Sequence, residues 1–202
     1  AYDNDEGLNT GGMGNHSPHP LILESDYEEA IKMVIGPMTK AMIAENIPFT
    51  GILYAGLMKT SSGIKVIEFN ARFGDPETEV LLPRLETDLS EIMLSLLEGK
   101  EIECVWSDKP TVGVVLAAKG YPGNYNKGAI IKGLDLLEDV DVCHMGTKLV
   151  DGDYTTNGGR VLFVVGSGET LDKARTNVYR QIEKITCDDL FYRLDIAKKF
   201  VE

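Results

Sequence analysis

The 202 residues suffice for one large domain or two small ones, and a hydrophobic share of 43 % supplies a core and excludes a disordered chain. A formal net charge of −12 excludes electrostatic binding to nucleic acid or to an anionic membrane, both of which need a basic surface. Small phosphorylated substrates stay open, because local arginines, backbone N–H groups and metal bind those even in an acidic protein.

No apolar run approaches the ~20 residues that span a bilayer, and no signal peptide precedes the first motif. Cys104, Cys143 and Cys187 are widely spaced and form no CxxC pair. These features predict a cytoplasmic protein with reduced thiols rather than a disulfide framework or a zinc cage. The chain opens at Ala1 in the loop-like run Asp3-Asn4-Asp5-Glu6-Gly7, an opening expected of a chain cut from a longer protein.

Residues 1–20 are rich in Gly, Asn, Asp, His and Pro and read as a loop of special backbone geometry. Ser25 with Glu28 predicts a capping box, followed by a helix with Ile31, Ile35, Met38 and Met42 on one face. Gly36-Pro37 is expected to kink that helix. Residues 52–59 and 64–70 read as two strands of a hairpin joined by Thr60-Ser61-Ser62-Gly63. Asp88 can cap a second helix that presents Leu89, Ile92, Met93, Leu96 and Leu97, with Gly99 as its stop. The polar stretch 101–110 predicts a domain boundary. Beyond it, 112–118, 130–136, 140–145 and 161–165 read as strands. A last helix is expected over about 170–185, with Leu171, Ala174, Val178, Ile182 and Ile185 on one face.

Two segments carry chemistry. In the strand ending Glu68-Phe69-Asn70-Ala71-Arg72, Glu68 and Asn70 lie two apart and share a face. A carboxylate beside an amide oxygen suits a hard cation that completes its shell with water and substrate phosphate. Arg72 follows, able to fork onto a carboxylate or phosphate. Taken alone, this short pattern fits a solvated strand edge equally well, while Ile67 and Phe69 turn to the other face for burial. The second segment runs from Asn9 to Pro18 and holds Thr10-Gly11-Gly12-Met13-Gly14. Glycines at this density let backbone N–H groups approach an anion, although the run lacks the Lys of a Walker loop. Taken alone, it fits an ordinary surface loop.

Together with Tyr54-Ala55-Gly56-Leu57-Met58 and the run from Phe73 to Thr78, these segments resemble the phosphoribosylamine–glycine ligase family of the ATP-grasp superfamily. Gly120-Tyr121-Pro122-Gly123, His144-Met145-Gly146-Thr147-Lys148, Thr156-Asn157-Gly158-Gly159-Arg160 and Arg193-Leu194-Asp195-Ile196 extend the likeness over the whole chain. The resemblance implies an α/β (α+β) protein: the C-terminal lobe of an ATP-grasp domain over 1–105, then a small β-rich domain over 106–202. It implies ATP-dependent joining of glycine to 5-phosphoribosylamine through glycyl phosphate. It also assigns roles: Glu68 and Asn70 hold Mg²⁺ or Mn²⁺, Arg72 stabilises the reacting carboxylate or acyl phosphate, and Asp75 with Thr10, Gly11, Gly12, Met13 and Gly14 lines a substrate pocket. The adenine clamp would lie in an N-terminal half outside these residues, so the chain alone is expected to be inactive. Related ATP-grasp enzymes place a further carboxylate across the hairpin, where Gly56 is expected here; Glu68 and Asn70 are then the only protein ligands. Two other readings stay open: another purine-pathway ATP-grasp ligase or carboxylase, and a non-enzymatic carrier module with Lys59 after Met58.

Overall fold

A computed structural model describes residues 1–201. In chain order they form β1 (Gly14–Ser17), α1 (Glu24–Ala30), α2 (Gly36–Ala44), β2 (Tyr54–Thr60), β3 (Gly63–Asn70), α3 (Thr78–Leu81), α4 (Leu89–Leu97), β4 (Thr111–Ala118), β5 (Ile130–Ile131), β6 (Asp141–His144), β7 (Thr147–Val150), β8 (Asp153–Thr156), β9 (Arg160–Ser167), α5 (Leu171–Ile182) and β10 (Leu190–Phe191). Helices and antiparallel sheets are thus mixed in an α+β arrangement. Two compact units share the chain. One comprises Ala1–Ser17, Asp75–Glu86 and the residues from Trp106 onward; the other comprises Pro18–Gly74 and Thr87–Val105.

The first unit is organised by β4. Its sequence shows no polar alternation because both faces are covered: all eight residues are buried. The sheet runs in the order β1-β4-β9-β6, entirely antiparallel, with β10 pairing the far end of β4. On one face Val114 and Leu116 pack with Leu162 and Val164 against Val178 and Ile182 of α5. On the other, Val115 and Ala117 pack with Phe163 and Val165 against Met13 and Val80. Burying a side chain of this size stabilises by about 1.5–3 kcal/mol, so neither face can be left bare. That requirement explains why the linear division at 105 does not describe the compact units. β1 hydrogen-bonds along β4 from Gly14↔Val114 to Ser17↔Thr111, and Met13 and Val80 close its second face. The helix expected over 170–185 forms as α5, with the Thr170 hydroxyl accepting the Lys173 N–H at 3.2 Å. The strand expected over 130–136 is shorter. After Ile131 the chain turns at Gly133 (φ +84°), where a Cβ would lie 2.1 Å from the Lys184 carbonyl oxygen. β5 joins a three-stranded sheet, order β5-β8-β7.

Residues 1–8 are fastened to the 193–199 segment within this unit. Arg193 chelates Asp195 at 2.7 and 2.8 Å and reaches Asp5 at 2.9 Å. Asp195 accepts the Asn4 N–H at 2.8 Å, and Asp3 accepts the Leu194 N–H at 2.7 Å. The Arg193 hydrogen bonds hold the Asp195 carboxyl well below the usual carboxylate range, against the opposing effect of burial. A depressed folded-state value means this stabilisation is present above about pH 4 and lost as pH falls through the folded value. Arg193→Met should therefore cost about 2 kcal/mol at neutral pH, since it strands a carboxylate that is 16 % exposed. It should also unprotect the Asn4 amide in hydrogen exchange. The difference from wild type should shrink in acid; a difference unchanged down to pH 2 would contradict this account.

In the second unit β2 and β3 pair from Tyr54↔Asn70 to Thr60↔Gly63, with a bulge between Gly56 and Leu57. The hairpin therefore starts at Tyr54 rather than at 52. α4 forms with Asp88 as its cap, accepting the Ser90 N–H at 2.7 Å, and Gly99 (φ +67°) ends it. Two expectations are corrected and one is refined. Leu23, not Ser25, is the N-cap residue of α1, because Asp26 turns back to accept the Leu23 N–H at 2.7 Å while also binding Lys59 at 2.7 Å. The kink expected at Gly36-Pro37 falls where the helix changes its hydrogen-bonding pattern without ending. A wide turn over Ile31–Ile35, with the Gly36 N–H donating to the Ile31 carbonyl, absorbs the proline between α1 and α2. Ile67 is 62 % exposed rather than buried, and its neighbours Val66 and Glu68, on the other face of the strand, are exposed as well.

Candidate functional site

The end of β3 places Glu68 and Asn70 on one face, as the two-residue period requires. Their side chains touch: the Asn70 amide N donates to Glu68 Oε1 at 2.7 Å. Gly56 stands directly opposite Glu68, and a Cβ there would lie 3.2 Å from Glu68 Cγ. The missing side chain leaves room for the Glu68 stem, and no carboxylate faces Glu68 from β2 at that register. Among the described residues no group of three or more His, Cys, Asp or Glu could hold a metal ion. What β3 offers is a carboxylate and an amide oxygen, a hard-donor pair that leaves most of a cation's shell to water or substrate oxygens. Arg72 is exposed just beyond the strand and donates to the Phe73 carbonyl at 2.8 Å.

Lys59 sits near the tip of the same hairpin. Its ammonium is tied to Asp26 at 2.7 Å and to the Leu21 carbonyl at 3.2 Å. An amine held this way is poorly placed to bear a swinging prosthetic group, which disfavours the carrier reading.

In the other unit the run from Asn9 to Gly14 leads into β1. The Thr10 hydroxyl accepts the Gly12 N–H at 3.1 Å, and Gly12 adopts φ +109°, where a Cβ would lie 2.7 Å from Pro76 Cδ. Met13 is buried in the core beneath the sheet, which anchors the loop. Thr10, Gly12, Met13 and Gly14 line a polar cleft of about 430 Å³ together with Arg193 and Ile196. Asp75 is half exposed and bound by Arg160 at 3.0 Å. Burial pushes the neighbouring Glu79 carboxyl above its ordinary value, Asp75 adds to the rise, and Arg160 opposes it. Thr10, Gly11, Gly12, Met13, Gly14 and Asp75 thus fall together in one unit, and Glu68, Asn70 and Arg72 in the other.

Arg160 and Tyr121 were not among the site residues expected from sequence. Arg160 donates to the Gly11 carbonyl at 3.1 Å and the Asp75 carbonyl at 3.2 Å, and the Tyr121 hydroxyl accepts the Gly11 N–H at 3.5 Å. The sequence carries only a partial signal: Gly158-Gly159-Arg160 places an Arg after two glycines, and nothing in that run names Gly11 or Asp75 as its partners.

Comparison with known proteins fits this geometry. The phosphoribosylglycinamide synthetase ATP-grasp (A) domain model matches residues 1–78, and the C domain model of the same enzyme matches 111–199. The biotin carboxylase domain of 2-oxoglutarate carboxylase from Hydrogenobacter thermophilus superposes with a TM-score of 0.63 at 13 % identity, over 89 % of this chain and 40 % of that one. That likeness establishes the fold alone; the fold is named ATP-grasp by the family model that matches residues 1–78. The chain belongs to the phosphoribosylglycinamide synthetase family. It is 51 % identical over its full length to the phosphoribosylamine–glycine ligase of Halalkalibacterium halodurans, covering 47 % of that protein. It is 48 % identical to the Caldanaerobacter subterraneus enzyme of the same name, over 98 % of this chain and 48 % of that protein. The crystal structure of phosphoribosylamine–glycine ligase from Thermotoga maritima superposes with a TM-score of 0.86 at 36 % identity, over 97 % of this chain and 49 % of that one. The chain therefore spans about half the length of the relatives it matches. No helix among the described residues is long and apolar enough to cross a membrane.

Proposed function

We propose that this chain is part of a cytoplasmic ATP-dependent ligase that joins glycine to 5-phosphoribosylamine. The observation that carries the reading is the Glu68–Asn70 pair, whose side chains meet through the Asn70 amide N–H donating to Glu68 Oε1 at 2.7 Å, in a chain 51 % identical throughout to a phosphoribosylamine–glycine ligase. A glycine carboxylate oxygen attacks the γ-phosphorus of ATP, and ADP leaves. The amine nitrogen of phosphoribosylamine then attacks the carbonyl carbon of glycyl phosphate. Phosphate departs with the former carboxylate oxygen, and the nitrogen loses a proton. Carboxylate oxygen is a poor leaving group and phosphate a good one, so the protein's task is positioning and charge neutralisation.

Glu68 and Asn70 hold Mg²⁺ or Mn²⁺, whose charge, when bound, offsets that of the ATP phosphates. Arg72 offers a planar fork to the glycine carboxylate as it becomes an acyl phosphate. Thr10, Gly11, Gly12, Met13 and Gly14, with Asp75, line the pocket for glycine or phosphoribosylamine. The residues that clamp adenine belong to the remainder of the enzyme, outside this chain.

The test is ADP release by the full-length enzyme containing this chain. Turnover should require glycine and phosphoribosylamine together, and bicarbonate in place of glycine should support none. Bicarbonate-dependent turnover without glycine would favour a carboxylase of the same fold. The isolated 202-residue chain should release no ADP. Calorimetry should find MgATP binding to it far weaker than micromolar, because two oxygen ligands leave most of the metal shell to substrate. Micromolar affinity would show a complete nucleotide site within these residues.

A further inference from the structure

We propose that Arg160, assisted by Tyr121, is a positioning residue that sets the pose of the Thr10–Gly14 loop and of Asp75 toward the non-nucleotide substrate. The proposal rests on the ligase reading above and adds residues that this reading does not use. Arg160 begins β9, opposite Ala117 where the β4–β9 register shifts. It is flanked by close backbone packing. A Cβ on Gly146 would lie 2.5 Å from the Arg160 carbonyl oxygen, and a Cβ on Gly159 would lie 2.3 Å from Tyr121 Cδ2. The turn before Arg160 is thereby pressed against the Tyr121 ring, which limits where the guanidinium can point.

Its Nη1 donates to the Gly11 and Asp75 carbonyls at 3.1 and 3.2 Å, and its Nη2 meets the Asp75 carboxylate at 3.0 Å. One planar group thus joins two segments 64 residues apart in sequence, Gly11 and Asp75. The guanidinium also lies flat under Gly11, where a Cβ would be 3.5 Å from its Cζ. With the Tyr121 hydroxyl on its N–H, both backbone polar groups of Gly11 are held from the region matched by the C domain model. Gly12 follows immediately in its left-handed conformation against Pro76, the residue after Asp75. A rotation at Gly11 is therefore passed to Gly12 and to the Asp75-Pro76 segment. An ordinary surface ion pair is a poor account of this arrangement: the Arg160 side chain is only 19 % exposed, and two of its three contacts are to backbone.

Lysine at this position keeps the charge but loses the fork that spans two carbonyls and a carboxylate. Misplacement of a substrate-holding loop by about 1 Å is enough to lower rates steeply. In the full-length enzyme, Arg160→Lys should raise the KM for glycine or for phosphoribosylamine about tenfold or more, with the ATP KM within about twofold of wild type. Tyr121→Phe keeps the ring and removes only the hydroxyl, so it folds and should shift the same KM in the same direction by less. A role in stability alone would lower the melting temperature and leave every KM unchanged. Full kinetics on wild type and both variants, with thermal melts, separate the cases. Glycine-dependent turnover in wild type with a selective KM rise in the variants supports the proposal. The same wild-type turnover with unchanged glycine and phosphoribosylamine KM values overturns it and leaves the ligase reading standing. Absence of glycine-dependent turnover in wild type overturns that reading, and this proposal with it.

Discussion

Glu68→Gln and Asn70→Ala, each made in the full-length enzyme, are expected to lower kcat about 100-fold and to raise the Mg²⁺ concentration needed for half-maximal rate. The two side chains share a strand face and touch at 2.7 Å, and Gly56 opposite leaves Glu68 without a facing carboxylate. A cation held by two protein oxygens depends heavily on each. Metal neutralisation of phosphate charge is worth several kcal/mol in such reactions, and each ~1.4 kcal/mol is a factor of ten in rate. Losing part of that stabilisation gives the stated fall. Gln is close in volume to Glu but carries no charge, so Glu68→Gln separates ligation from packing. Steady-state rates over a Mg²⁺ titration decide the matter. Wild-type kinetics at limiting Mg²⁺ in either variant would remove that residue from the ligand set.

A comparably large effect, on stability rather than rate, is expected from Gly113→Ala. Gly113 is the third residue of β4, and a Cβ there would sit 2.0 Å from Phe163 Cζ and 2.2 Å from Cε1. Phe163 is completely buried among Met13, Val80, Val115, Ala117 and Val165, so its ring has nowhere to retreat. Overpacking of this kind costs about 3 kcal/mol, a fall of roughly 10 °C in melting temperature for a chain of this size. Adding Phe163→Leu should restore part of the loss in the double variant, because the smaller side chain makes room for the methyl group. A Gly113→Ala chain that melts with wild type would mean the ring does not fill that space.

Where structure is dictated by neighbours in sequence, it was legible. Asp88 caps its helix as expected, because a short polar side chain before an apolar stripe has the first-turn N–H groups within reach, and Thr170, expected only as the start of the last helix, caps it in the same way. Gly63 marks the hairpin turn, and the Glu68–Asn70 face follows from the strand period alone. The Asp151-Gly152 turn between β7 and β8, with both residues at positive φ, carries a strong hairpin signal that the strand assignment overlooked. Other features depend on distant partners. β1 has only four residues and little apolar character; its pairing is decided by β4, almost a hundred positions away. Ser25 lost the α1 cap to a backbone N–H that Asp26 satisfies while it also binds Lys59. Arg160 is half of an interaction whose other half is a glycine carbonyl and a strand-end acid. Its spacing from them in sequence carries no period to read.

Under the proposed function, glycine is activated as an acyl phosphate in the full-length enzyme containing this chain. The most direct measurement supplies glycine labelled with ¹⁸O in both carboxylate oxygens, together with ATP and phosphoribosylamine, and analyses the phosphate by mass spectrometry. Each turnover should deliver one ¹⁸O into inorganic phosphate, because the carboxylate oxygen that attacks the γ-phosphorus leaves with it. Phosphate free of label, released alongside the amide product, would contradict the account.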